Sequence, residues 1–233
     1  MINKKKKYDL IFPFGEACFT AAVMSRIHIR TQSNPFDWVY GANFEERLDI
    51  ILNKFENFFN KEDLEFYQIA GKCDAYHNKR TDLYFNHDFP HGVNFEEYYP
   101  TVAQKYERRI KRALDIFNEG KKILLLYIDT PETKRGLINF EKLKDLIPKL
   151  HNVYPNAHFD LLYIKHNPDL KRKEIIYEKI NENITIAWCN NKSTDPNAET
   201  WHANFENTIQ ALKIVSLKNF FLNYIKWKFK KSH

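Results

Sequence analysis

Cysteine is scarce in this chain. Cys18, Cys73 and Cys189 are the three in 233 residues. Their number is odd, they lie far apart, and no pair forms C-x-x-C. This argues against a disulfide framework or a structural zinc site and fits free thiols in a reducing compartment. Glycine and proline are also few, at 6 and 9, which argues against a disordered or collagen-like chain. No apolar run approaches the roughly 20 residues of a membrane span. The lysines of Asn3 to Lys7 precede too short an apolar stretch for a secretory leader, so a cytoplasmic protein is expected.

Positive charge is not lacking. The net charge of +6 is concentrated in NKKKK near the start and YIKWKFKKSH at the end, with near balance between. A duplex-binding face would cluster Lys and Arg along one element, so no nucleic-acid partner is expected. The segment 218–233 mixes aromatics with lysines. It reads as a basic amphipathic tail, suited either to an anionic membrane surface at the inner face or to the solvated end of a last helix. Residues 1–217 read as one α/β domain. With 43% hydrophobic and 15% aromatic residues, that domain can bury a substantial core.

The apolar run Tyr8 to Phe14 reads as a buried strand broken by Gly15, and EACFTAAVMSRI follows at helical spacing. Asn43, with Glu46 three residues on, predicts a capped helix. Its apolar stripe is Phe44, Leu48, Ile51, Leu52, Phe55, Phe58 and Phe59, in what reads as a helical insertion over 43–80. Leu83 to Phe85 reads as a short strand, followed by a loop ending at Pro90. Pro100 is placed in the first turn of the next helix. The unbroken run KKILLLYIDT predicts a strand covered on both faces. NFEKLKDLIPKL reads as a helix, HFDLLYIKH as a strand, KEIIYEKI as a short helix and ITIAWCN as a last strand. A final helix is expected from Trp201. The alternation after Lys121 points to α/β architecture: three layers, a mostly parallel sheet flanked by helices.

A strand, a glycine turn and a helix put Cys18 at a helix start. There, unpaired N–H groups and the positive dipole end favour a thiolate and can hold an oxyanion. The alternative is an inert core thiol, and nearby Glu16 would raise the thiol's pKa. His87, next to Asp88, is the right kind of general base, or else a loop histidine. Asp37, in the turn NPFDWVYG with Trp38, serves either as its orienting carboxylate or as a turn former. His202, opening the last helix, competes with His87. His91 follows His87 by four positions, but Pro90 rules out a helix between them, so no metal site is expected. In KYERRIKR, Arg108 falls among charged positions. Arg109 shares the apolar side and suits an internal ion pair or an acidic substrate group.

These segments resemble a known family. FGEACFTAAVMSRIHIRTQSNPFDW, FNHDFP, and KYERRIKR ahead of ILLLYID are similar in order and spacing to an uncharacterised bacterial family labelled papain-like cysteine peptidases. The resemblance implies Cys18 as nucleophile on the turn at Gly15, His87 as base and Asp37 or Asp88 as acidic partner. It also implies a small-molecule or glycan-type substrate of surface polysaccharide metabolism. A papain-like α+β fold is the architectural alternative. The expected activity is a thiol-dependent hydrolase or acyl transferase without cofactor. A glycosyl- or phosphosugar transferase, or a non-catalytic binding module, is the alternative.

Overall fold

The computed structural model describes residues 5–129, 140–193 and 203–218. Its strands are β1 (Lys6–Tyr8), β2 (Leu10–Pro13), β3 (Tyr40–Gly41), β4 (Leu64–Ala70), β5 (Cys73–Asn78), β6 (Leu83–Pro90), β7 (Lys122–Ile128), β8 (His158–His166), β9 (Ile175–Lys179), β10 (Ile184–Cys189) and β11 (Val215–Leu217). Its α-helices are α1 (Phe19–Arg26), α2 (Phe44–Leu52), α3 (Phe95–Asn118), α4 (Phe140–Leu143), α5 (Leu146–Val153) and α6 (Phe205–Ala211).

The principal sheet has the order β2-β7-β8-β10-β9. Its first four strands run parallel, and β9 joins β10 antiparallel. Strand β7 shows why its sequence is apolar throughout. Ile123, Leu125 and Tyr127 enter one core, whereas Leu124, Leu126 and Ile128 enter the other. Successive side chains point to opposite faces, so only a strand covered on both sides needs every position apolar. Helix α1 covers one face through Phe19, Val23 and Met24, together with Ala211 of α6. Helices α2, α3 and α5 cover the other. The architecture is α/β with three layers, as the alternation of elements implied.

A second, antiparallel sheet, β3-β6-β5-β4, lies between β2 and β7 in sequence. Residues 43–80 are therefore part helix and part hairpin. Asn43 forms the expected capping box, accepting from Glu46 N–H at 3.0 Å while its own N–H reaches Glu46 Oε2 at 2.6 Å. Helix α2 stops at Leu52, and the stripe continues through a turn with Lys54, Phe55 and Asn57 at positive φ. Phe55, Phe58 and Phe59 still reach the core. Phe12 holds Phe36, Phe55 and Phe117 at ring-centroid distances of 6.2, 6.2 and 5.2 Å. Such pairs add about 0.5–1.5 kcal/mol each beyond burial. They fasten the loop before β3 to the main sheet.

Four local expectations are corrected. The segment KEIIYEKI contains β9, not a helix; β10 offers a free edge, and pairing there overrides a weak helical preference. Strand β6 runs on to Pro90, so His87 and Asp88 stand in a strand and not in a loop. Helix α3 begins five residues before Pro100, capped by Asn94, whose side chain accepts Glu97 N–H at 3.2 Å. Pro100 thus sits inside the helix and removes one of its hydrogen bonds. The last helix ends at Ala211, and the chain continues into β11, which pairs parallel with β1. His202 and, apart from Lys218, the tail 218–233 lie outside the described residues. No helix among the described residues is long and apolar enough to cross a membrane.

Candidate active site

The chain leaves β2 at the carboxyl edge of the principal sheet, where ligands commonly bind in open α/β folds. Gly15 makes the exit possible. A Cβ on it would stand 2.0 Å from Thr20 Oγ1 and 3.3 Å from Ile128 N, so the turn closes against both α1 and β7 only without a side chain. Cys18 follows at the N-cap of α1, its carbonyl accepting Ala22 N–H at 3.0 Å.

His87 meets it from the second sheet, with Nε2 3.7 Å from Cys18 Sγ. The strand irregularity at that point explains how. Tyr76 pairs with Phe85 and Asp74 with Phe89, so two steps along β5 match four along β6. A bulge of this kind re-aims side chains. It leaves His87 exposed and Asp88 buried.

Asp88 does not orient His87. It accepts Tyr106 Oη–H at 2.6 Å and is bound by Lys105. Asp37 is also engaged elsewhere: its Oδ2 accepts Arg30 Nε at 3.0 Å and Asn34 N–H at 2.8 Å. Burial pushes this carboxyl up, against the opposing pull of Arg30. Asp37 thus ties the turn Asn34–Asp37, and the next residue, Trp38, stands edge-on to the His87 ring at 6.5 Å. Arg30 in turn lies over Trp38, at 5.7 Å.

Arg109 is half-buried over Tyr106, at 5.3 Å, and its charge is felt by Asp37. Its Nη1 is buried without a hydrogen bond among the described residues. Arg108, beside it, is exposed. Cys189 is buried and donates to Asn191 Oδ1 at 3.0 Å, and Cys73 is half-buried. Among the described residues no group of three or more metal-capable side chains is assembled.

Burial pushes the Cys18 thiol up to about 11, with Asp88 and Asp37 adding to the rise and Arg47 opposing it. The resting sulfur is therefore a neutral thiol, contrary to the thiolate expected from its place at a helix start. Desolvation outweighs the helix dipole, which contributes only a fraction of a kcal/mol in ordinary exposed settings.

Sequence reasoning passed over Arg47. It is fully buried and lies over Phe36 at 5.1 Å. It donates to the carbonyls of Gly41, Ala42, Val39 and Glu16 at 2.7–3.2 Å. It thereby joins α2, the approach to β3 and the turn before Cys18. The signal was its spacing, three after Phe44 and four before Ile51, on the apolar stripe. Asp129, also passed over, directly follows β7 at the same edge. Tyr163 donates to it at 2.6 Å and Lys165 lies at 3.6 Å. Burial pushes its carboxyl up to about 6, and Glu16 adds to the rise.

A family model described as "Putative papain-like cysteine peptidase" matches residues 9–169. The chain belongs to that family. Its description supports thiol-dependent hydrolysis at a coarse level, and the matched span holds both Cys18 and His87. An uncharacterized protein of Acanthamoeba polyphaga mimivirus is 27% identical over 180 residues, covering 70% of this chain and 79% of the viral one. That relative is viral, so the bacterial origin expected for the papain-like family finds no support in it. No solved structure matches the chain.

Proposed function

We propose that this member of the papain-like cysteine peptidase family is a thiol-dependent hydrolase in which Cys18 is the nucleophile and His87 the base. The observation that carries this reading is the 3.7 Å approach of Cys18 Sγ to His87 Nε2 at the carboxyl edge of the sheet. A thiol that rests neutral needs a base in contact with it, and an imidazole suits that role.

The chemistry follows from these positions. As Sγ attacks a substrate carbonyl carbon, its proton passes to His87 Nε2 and a C–S bond forms. The carbonyl oxygen gains negative charge beside the first-turn N–H groups of α1, which have no partner within the helix. Collapse breaks the bond to the leaving group, which takes the proton from His87, and a thioester remains on Cys18. Water, deprotonated by His87, then attacks the thioester. The acid departs and the thiol is restored. With an acceptor other than water the same thioester gives acyl transfer. Glycosyl transfer and a role in surface polysaccharide have no supporting observation among the described residues.

The test uses p-nitrophenyl acetate as a generic acyl donor. An acetyl adduct on Cys18, located by peptide mass spectrometry and lost in Cys18→Ala and His87→Ala, is the expected result. Equal acetylation of Cys73, or an adduct on Cys18 that forms as fast without His87, overturns the reading.

A further inference from the structure

The second sheet ends in an edge unlike the others. In the order β3-β6-β5-β4, strand β4 is terminal and pairs on one side with β5. Among the described residues, none of its backbone groups bonds outward. Its sequence LEFYQIA is seven residues long, with Glu65 its one charge. Phe66, Tyr67 and Ile69 are 57%, 54% and 56% exposed, the highest values for large apolar side chains among the described residues. A long, apolar, open edge is a template for another strand.

The other edges are guarded. Strand β2 is buried throughout, and β3 has two residues. Strand β9 carries Glu178 and Lys179, and Tyr177 Oη donates to Ala211 O at 3.1 Å, closing it against α6. Lysine, proline and shortness are the usual guards, and β4 has none of them. It does carry a bulge. Its register against β5 steps from Phe66–Tyr76 to Gln68–Ala75, which leaves Tyr67 unpaired. The Tyr67 ring is held against Tyr84 at 5.0 Å, and Glu65 is turned to His77 at 3.2 Å.

We propose that β4 pairs antiparallel with β4 of a second copy of this chain, about a twofold axis at Tyr67. Two observations select a second copy over another partner. The first is the bulge. Centring on Tyr67 sets the two bulges face to face, so the ladder on either side of the axis stays regular. A regular partner strand would have no matching irregularity. The second is charge. Glu62 precedes Tyr67 by five residues and Lys72 follows it by five, so the axis brings Glu62 of each copy beside Lys72 of the other. Both are exposed, whereas Lys61 and Asp63 are already engaged with Glu96 and Arg80. Glu65 falls opposite Ile69, so like charges do not meet within the paired segment.

The contact is small. Phe66, Tyr67 and Ile69 bring roughly 100 Å² each, and with the backbone edge this stays below the ~800 Å² per partner of a stable complex. The dimer is therefore reversible, with half-association at about 10–100 µM. It joins eight strands and sets the two β6 strands, each bearing a His87, about 24 Å apart. The pairing does not depend on the chemistry of Cys18.

Sedimentation velocity of the full chain from about 1 to 200 µM tests it. Monomer should give way to dimer and to nothing larger, because a twofold contact closes on itself. Tyr67→Lys should weaken the dimer at least tenfold. Glu62→Lys and Lys72→Glu should each weaken it about three- to tenfold, and the double variant should restore it. Circular dichroism should be unchanged in all of them. In a Cys73→Ser background, Tyr67→Cys should form a disulfide between copies on mild oxidation, since residues facing across such an axis stand within disulfide reach. Ile69→Cys should not. A chain that stays monomeric, open-ended growth, a dimer that Tyr67→Lys leaves intact, or a double variant no better than the single ones overturns the proposal. So does a monomer whose β4 amide signals move with an added Thr-Val octapeptide and not with protein concentration.

Discussion

Sγ of Cys18 and Nε2 of His87 stand 3.7 Å apart across 69 residues of sequence. One belongs to the turn leaving a parallel sheet and the other to a bulged strand of an antiparallel one. Their meeting depends on how two sheets dock, and neither local pattern contains it. Replacement of either should therefore remove acylation while leaving the fold intact. Cys18→Ser and His87→Gln should each lower the acyl-transfer rate at least a hundredfold. The release of p-nitrophenol measures the rate, and unchanged urea midpoints establish that the variants are folded.

The raised thiol pKa predicts a particular pH profile for Cys18 in the free protein. With the thiol pushed up to about 11, only about one molecule in ten thousand carries the thiolate at pH 7. Because the thiolate is the reactive form, iodoacetamide labelling of Cys18 should rise about tenfold per pH unit from 7 to 10. A plateau below pH 8 would show a preformed thiolate and contradict the neutral resting state. Peptide mapping separates Cys18 from half-buried Cys73.

Asp88 offers a sharper distinction. It is bound by Tyr106 and Lys105, and its charge raises the Cys18 thiol. Asp88→Asn should therefore accelerate Cys18 labelling at pH 8 severalfold and should leave acylation within about tenfold of the original. An orienting carboxylate in a catalytic triad behaves otherwise, with a loss near ten-thousandfold when replaced by its amide.

Asp129 should govern part of the pH dependence of stability. Its carboxyl is raised from the ordinary 3.8 to about 6, so the native state binds a proton more tightly than the unfolded state does. The folded form then loses stability as pH rises from about 4 through 6, by an amount of about 3 kcal/mol at most. Asp129→Asn should flatten this slope, and the variant should be the more stable form at pH 7. Urea denaturation at pH 4.5 and 7 compares them. A wild-type chain that gains stability over the same interval through this residue would reverse the sign and refute the assignment.

Arg47 and Gly15 should be the most sensitive structural positions near the site. Arg47→Met leaves buried carbonyls of Gly41, Val39 and Glu16 without their donor, at about 1–3 kcal/mol for each group left unsatisfied. Arg47→Lys should recover only part of this, since an ammonium cannot reproduce the guanidinium fork. Gly15→Ala should cost about 1–3 kcal/mol through overpacking. Adding Thr20→Ala should return some of that loss, because Thr20 Oγ1 is the first atom the new methyl meets. Shifts in urea midpoint read all four effects.

By itself the sequence determined the elements whose constraints are local or periodic. The doubly buried strand β7 is visible in Ile123–Ile128 because both faces demand apolar residues. The cap of α2 is visible in Asn43 and Glu46 because the bonds span three residues. The turn at Gly15 and the strand–helix alternation likewise carried the α/β class. Tertiary structure alone decided the rest. KEIIYEKI became β9 because an edge of β10 was open to it. His87 turned outward and Asp88 inward because a bulge is set by the register between β5 and β6, not by either strand. The state of the Cys18 thiol followed from burial, which depends on what packs around the helix start and can outweigh the dipole that the chain's local order supplies.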